Sequence, residues 1–337
     1  MLTVTICGGG GLGHTCAGMF SRLDGIRVNM LTSRPEKWNR TFEVTRPDGE
    51  VLIGKLSSVT SEPEKVIPSS DIVLLCLPAY LVEETLEKIV PFLGAGTAVG
   101  TVVSNSGFFF CCHSILPADT PVFGFQRVPY VSRVIEYGRR ASLLGDRPEI
   151  IVAEENVKDR DSFAVLLERL FAEKVVFADS IYEVTLSNSN PILHTGRLYT
   201  MWKDWDGKPF PERGYFYREW TVEASRLEIE MDREFFSLLE VLGVSTEHID
   251  TLLVHYEAED AEGMTAKIKS IESFKNIESP MVEVEGGWEP DFNSRYFTED
   301  FPYGLRMIYE LAHRNGVSCP NIDKVFEWGM EKCQGRR

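Results

Sequence analysis

The sequence is short of basic residues, of paired cysteine motifs and of long apolar runs. Against 51 Asp plus Glu stand only 35 Lys plus Arg, a formal net charge of −16. Binding a phosphate backbone relies on clustered Lys and Arg, so nucleic acid is excluded as the main partner. The apolar run from Ile72 to Val82 contains Pro78 and falls well short of the ~20 residues a membrane-spanning helix needs. A membrane is therefore not an expected partner. The start, Met-Leu-Thr-Val-Thr-Ile, lacks a basic n-region, so no signal peptide is expected and a cytoplasmic location is. The cysteines, Cys7, Cys16, Cys76, Cys111, Cys112, Cys319 and Cys333, are odd in number and scattered, with no Cys-x-x-Cys. Free thiols in a reducing compartment are the expected reading. Cys111, Cys112 and His113 are adjacent, but neighbours on a helix or strand point apart, so no metal site is expected there.

What is present is an ordinary globular composition, 43% hydrophobic and 26% charged over 337 residues. At roughly 150 residues per domain, that length suggests two domains. Residues 1–185 alternate short apolar runs with helical patterns, the signature of a doubly wound α/β sheet. Strands are expected at Leu2–Cys7, Ile26–Leu31, Asp71–Leu77, Thr97–Val103, Pro121–Phe125, Glu149–Ala153 and Lys174–Ala178. Helices are expected at Leu12–Leu23, Leu81–Phe92 and over residues 162–171, and a hairpin joins Phe42–Arg46 to Glu50–Leu56. Residues 186–337 lose the β runs and read as an all-α domain, with helical patterns at Ile192–Trp205, Tyr217–Leu242, Thr246–His255, Tyr303–Asn315 and Asn321–Lys332. One long irregular segment, Val284–Phe301, interrupts them; a loop of that length is usually functional or mobile.

The first strand runs into Cys7-Gly-Gly-Gly-Gly-Leu-Gly-His-Thr-Cys-Ala17, which contains Gly8-x-Gly10-x-x-Gly13. Gly8 would allow the tight turn, Gly10 the approach of a pyrophosphate and Gly13 the packing of helix on strand, with Gly11 and Leu12 at the helix N-terminus. Placed between a first strand and a first helix, the pattern points to a dinucleotide. The same residues miss a P-loop by one position. His14 stands where a Lys should bind phosphate, and a neutral imidazole cannot replace that charge. The second strand ends Met30-Leu-Thr-Ser-Arg34, with no acid before Glu36. An NAD site places a carboxylate there for the ribose 2′-OH. Ser33 and Arg34 would instead donate to a 2′-phosphate, so NADP is favoured over NAD.

Three segments of the helical half are distinctive: Asn188-Ser-Asn-Pro-Ile-Leu-His194, then Ser294-Arg295-Tyr-Phe-Thr-Glu299-Asp300-Phe-Pro302, then Ala312-His-Arg-Asn-Gly-Val-Ser-Cys-Pro320. With the N-terminal glycines they resemble the octopine/nopaline (opine) dehydrogenase family over nearly the whole chain. The most specific parts are Asn190-Pro-x-x-His194 and Arg295-x-x-x-x-Asp300-x-Pro302. The resemblance implies a Rossmann-type domain followed by a helical domain like that of 6-phosphogluconate dehydrogenase. It also implies reductive condensation of an α-keto acid with the amino group of an amino acid, using NADH or NADPH. His194 and Asp300 then become a catalytic dyad, and Arg295 the holder of the keto-acid carboxylate. The expected partners are those two small molecules, with homodimerisation left open.

These residue types suit that chemistry. An imidazole exchanges protons near neutral pH, and a carboxylate on its other nitrogen fixes the tautomer. A guanidinium fork matches a carboxylate in two parallel hydrogen bonds. Gln126, in Gly124-Phe-Gln-Arg-Val-Pro129, follows a late strand at the edge where α/β sheets bind ligands, and its amide could hold a substrate carboxylate or carbonyl. Lys203 and Lys208 are weaker candidates for the acid, since both fall at a helix end and turn. Two other readings stay open: a plain keto-acid reductase on the same scaffold, and a catalytically silent nucleotide-binding protein.

Overall fold

The structure is a computed structural model, and it describes residues 1–105 and 107–334. The chain divides into two compact units between Leu186 and Ser187.

In the first unit the strands are β1 Leu2–Cys7, β2 Ile26–Leu31, β3 Thr41–Thr45, β4 Val51–Lys55, β5 Ser58–Thr60, β6 Ile72–Leu75, β7 Ala98–Thr101, β8 Val122–Phe125, β9 Tyr130–Glu136, β10 Arg140–Asp146, β11 Glu149–Glu155 and β12 Lys174–Phe177. Eight of them form one sheet in the order β12-β11-β8-β7-β6-β1-β2-β5. All neighbours are parallel except β8 and β11. Parallel strands are covered on both faces and so read as unbroken apolar runs; β6, Ile-Val-Leu-Leu, is buried throughout. Its neighbour β1 leads through the glycines into helix α1, Gly11–Phe20, and the unit's later helices are α2 Val82–Ile89, α3 Phe108–Ile115, α4 Arg160–Phe171 and α5 Ile181–Leu186.

The Thr41–Lys55 hairpin forms, but it does not stand alone. It joins β9 and β10, which the sequence patterns did not mark, in a second sheet of order β4-β3-β10-β9. This sheet closes over α1. A Cβ at Gly18 would come 2.6 Å from Val44 Cγ2, and one at Gly11 would come 2.9 Å from the Ser132 carbonyl oxygen. Sandwiched between two sheets, α1 carries no charged residue in its first or last turn and is buried on nearly every side. His14 belongs to this packing. Its ring stacks on Trp38 at 4.1 Å, its Nε2 accepts the Gly138 N–H at 2.8 Å, and its Nδ1 lies 2.8 Å from the Gly10 carbonyl oxygen. Burial lowers its pKa, so the neutral ring is a structural tie.

The second unit is helical, with one addition. Helix α6 spans Asn190–Trp202, α7 Val222–Val241, α8 Leu252–His255, α9 Ala261–Ser270, α10 Arg306–Arg314 and α11 Pro320–Gln334. The pattern expected from Tyr217 becomes α7 only at Val222, because Thr221 caps it by accepting the Ala224 N–H; Tyr217 lies in the preceding loop. Helix α9, unmarked by periodicity, starts where Asp260 accepts the Gly263 N–H. The segment read as irregular, Val284–Phe301, starts at the end of one strand of a small hairpin, Met281–Val284 against Gly287–Pro290, and ends within a π-helical stretch, Tyr296–Leu305, that runs into α10. Pro302 sits inside that stretch. It has no N–H to give an α-helical turn, and the wider π turn accommodates it. Phe297, Phe301 and Trp328 pack this segment against α11, and the Cβ that Gly329 lacks would overlap the Phe301 ring.

Candidate functional site

Two sites emerge, one in each unit. In the first, the β1–α1 turn borders a cavity of about 640 Å³. Gly8 has φ +117°, and a Cβ there would meet the Cys76 carbonyl oxygen at 2.4 Å. A Cβ at Gly13 would lie 1.9 Å from the Gly8 carbonyl oxygen, so α1 can begin this close to β1 only without a side chain. Gly10 differs: nothing lies within 4 Å of its missing Cβ, and it faces the cavity. Gly11 and Leu12 open α1, whose first-turn N–H groups lack helical acceptors and so favour an anion. These features fit a dinucleotide pyrophosphate.

The cavity is also walled by Thr32, Ser33 and Arg34, which follow β2, and by Tyr137, which follows β9. The Arg34 guanidinium carbon stands 4.2 Å from the Tyr137 ring centroid, and the Tyr137 hydroxyl lies 2.9 Å from Thr32 Oγ1. Tyr137 was not legible as a site residue, because β9 and the turn after it were not. Gln126 is buried just past β8, where its backbone N–H donates to the Ile151 carbonyl at 2.9 Å. Cys111, Cys112 and His113 all lie on helix Phe108–Ile115, and His113 Nε2 lies 2.6 Å from a Glu155 carboxylate oxygen.

The second unit brings together residues far apart in sequence. His194 lies on α6, whose N-terminus is Asn190-Pro191, with proline in the first turn where its missing N–H costs nothing. The π-helical stretch approaches this end closely because Gly304 has no side chain; a Cβ there would come 2.7 Å from Pro191 Cγ. That approach sets Asp300 Oδ2 2.8 Å from His194 Nδ1, across 106 residues. Both side chains are largely buried. An ionised carboxylate only accepts, so the hydrogen bond to Asp300 is made by a proton on Nδ1. Nε2 in turn lies 2.9 Å from the Tyr217 hydroxyl, and the Tyr296 ring packs edge-on against the imidazole at 4.9 Å. Sequence reasoning missed Tyr217; no spacing ties a loop tyrosine to a helix histidine.

Arg295 caps the start of the π-helical stretch. Its Nε and Nη2 donate to the two carboxylate oxygens of Glu299 at 3.0 and 2.7 Å. Its side chain is 82% exposed. Lys203 pairs with Glu223 and Lys208 with Asp206, both at the surface. Behind His194, Gly196 lets α7 close in: its Cβ would come 2.6 Å from Glu228 Cγ. Glu228 is wholly buried, and among the described residues neither of its carboxyl oxygens has a hydrogen-bond partner. Burial raises its pKa well above the usual carboxylate range, against the opposing pull of Arg197. The third sequence segment ties α10 to α11: His313 Nε2 and Cys319 Sγ both bond Asp323 Oδ1, at 2.8 and 3.1 Å. No helix among the described residues is long and apolar enough to cross a membrane.

Residues 177–333 match the family model described as NAD/NADP octopine/nopaline dehydrogenase, alpha-helical domain, and residues 4–104 match ketopantoate reductase PanE/ApbA. Octopine dehydrogenase of Pecten maximus is 27% identical across 98% of this chain and 90% of its own length. Tauropine dehydrogenase of Arabella iricolor is 27% identical across 98% of this chain and 91% of its own. A solved octopine dehydrogenase with NADH and L-arginine superimposes with a TM-score of 0.88 at 26% identity, covering 98% of this chain and 89% of that one.

Proposed function

The chain belongs to the octopine/nopaline dehydrogenase family of nicotinamide-dependent oxidoreductases, and we propose that it joins an α-keto acid to the amino group of an amino acid by reductive condensation. The observation that carries this reading is the His194–Asp300 contact, two motif residues made neighbours by the fold. The ketopantoate reductase family model matches residues 4–104, in the nucleotide-binding unit, whereas the octopine/nopaline dehydrogenase model matches residues 177–333, which carry His194 and Asp300.

The first unit would hold the cofactor. The Gly8–Gly13 turn and the start of α1 take the pyrophosphate, and Ser33 and Arg34 take a 2′-phosphate, which makes NADPH the preferred form. Reduced nicotinamide, when bound, supplies the hydride. The second unit would manage protons and the substrate carboxylate. His194, neutral with its proton on Nδ1, takes a proton from the substrate ammonium so that the amine can attack the keto carbon. In the adduct one proton passes from nitrogen to the former carbonyl oxygen, making it a hydroxyl; the imidazolium, stabilised by Asp300, returns its proton to that hydroxyl, which leaves as water from the protonated imine. Arg295 already grips the Glu299 carboxylate with a two-point fork, and an α-keto acid carboxylate would take that place. Gln126 is assigned to the substrate carbonyl or carboxylate.

The test is a matrix of keto acids against amino acids, read by oxidation of NADH and of NADPH. Turnover that requires both substrates supports the reading. Oxidation with a keto acid alone, unchanged by every amine, would replace it with a keto-acid reductase.

A further inference from the structure

Both ring nitrogens of His194 are committed, Nδ1 to Asp300 and Nε2 to the Tyr217 hydroxyl. A histidine that trades protons with substrate directly would need Nε2 open, so Tyr217 must either move aside or carry the proton itself. Its surroundings decide between these. The Tyr217 ring lies 3° from parallel with Trp220 at 5.6 Å and stacks on Phe274 at 4.3 Å. The loop bearing it is tied to the helix of His194, because Arg197 donates to the Phe216 carbonyl at 3.3 Å and to the Glu219 carbonyl at 2.8 Å. On its other side the Phe216 N–H donates to the Ile277 carbonyl at 2.9 Å. A ring stacked against two aromatic neighbours, in a loop pinned by these hydrogen bonds, does not swing out at low cost.

We infer that Tyr217 is a further catalytic residue, whose hydroxyl passes the proton between His194 Nε2 and the substrate. This rests on the reading above that His194 is the acid–base group. In the forward step the ammonium N–H bond breaks and a new O–H bond forms on Tyr217 Oη, while the proton Oη already carried moves to Nε2. The phenol ends neutral and the imidazole becomes imidazolium against Asp300. For departure of the hydroxyl the same two bonds shift in reverse: Nε2–H passes to Oη, and the Oη proton leaves with the hydroxyl as water. Tyr217 never has to ionise. Burial and its neighbours, Tyr296, Tyr256, Asp300 and Glu228, all raise its pKa, so the two transfers occur together rather than through a tyrosinate.

The test compares the wild type with Tyr217→Phe, which deletes only the hydroxyl, with site-specific 3-fluorotyrosine at 217, which keeps ring and hydroxyl, and with His194→Ala. The relay predicts that Tyr217→Phe lowers kcat by about 10²-fold or more, the range of a lost acid–base group, with an altered solvent isotope effect. The keto-acid KM and nucleotide affinity should stay within twofold, and 3-fluorotyrosine should retain most of the activity. Tyr217→Phe within twofold of wild type, or faster because a plug has been removed, overturns the relay. If His194→Ala is at the same time inactive, the reading of His194 as the acid–base group survives. If His194→Ala also keeps full activity, both fail.

Discussion

Arg34 lies over the face of Tyr137, 4.2 Å from the ring centroid, and both line the cavity bordered by Gly8, Gly9 and Gly10. The ring steadies a guanidinium that would otherwise hang from a loop, by an attraction of roughly 0.5–1 kcal/mol at an exposed site. NADPH is expected to show the lower KM, and Arg34→Asp to reverse or erase the preference. Tyr137→Leu should weaken NADPH more than NADH. A wild type that prefers NADH by tenfold or more would refute the assignment of Arg34.

His194→Ala and Asp300→Asn are each expected to lower kcat by about 10²-fold or more, with nucleotide affinity nearly unchanged. The two act through one hydrogen bond, so the double variant should be little worse than the worse single one. Additive losses in steady-state kinetics would show that the contact is not used in the reaction.

Arg295 is mostly exposed, and its pairing with Glu299 contributes at most about 1 kcal/mol to stability. Arg295→Ala should therefore leave the thermal midpoint nearly unmoved while raising the keto-acid KM tenfold or more. Arg295→Lys keeps the charge but loses the fork, and should recover only part of that loss. A keto-acid KM within twofold of wild type in Arg295→Ala would make Arg295 merely the partner of Glu299.

Glu228 gives the stability of the helical unit a pH dependence. Its pKa is raised in the folded protein by burial. Below the unfolded value both states hold the proton and nothing is lost. As pH climbs through and beyond that value, the unfolded chain releases its proton while the folded chain keeps it. Stability then falls until the raised folded pKa is passed. Glu228→Gln mimics the protonated acid, so its thermal midpoint should exceed that of wild type by a margin that grows from pH 5 to pH 8. Melts showing a constant or shrinking margin would mean that Glu228 is ionised in the fold.

Much of the nucleotide-binding unit could be read in the sequence because its signals are local. Leu2–Cys7 and Ile26–Leu31 occur with the bounds the apolar runs suggest, and the demands on Gly8 and Gly13 arise within a few residues of chain. The second sheet could not be read this way. Strands β9 and β10 bury one face only and carry Arg133, Glu136, Arg139, Arg140 and Asp146 in or between them, so no apolar run announces them. The pair joins the hairpin through β10 and β3, which lies far back in the chain.

The helical unit divides along the same line. The sequence by itself determined which groups are available: a histidine on a helix opened by Asn190-Pro191, and an aspartate two residues before Pro302. It also determined that Gly196 and Gly304 carry no side chain. Only the tertiary structure decided that the gap at Gly304 lets the π-helical stretch settle on Pro191, placing Asp300 against His194. It alone brought Tyr217 to the remaining nitrogen. Helical periodicity records which face of a segment avoids water; it holds no information about which distant segment will cover that face. The proton path is made of such distant pairings, set by side chains too bulky or too small to pack any other way.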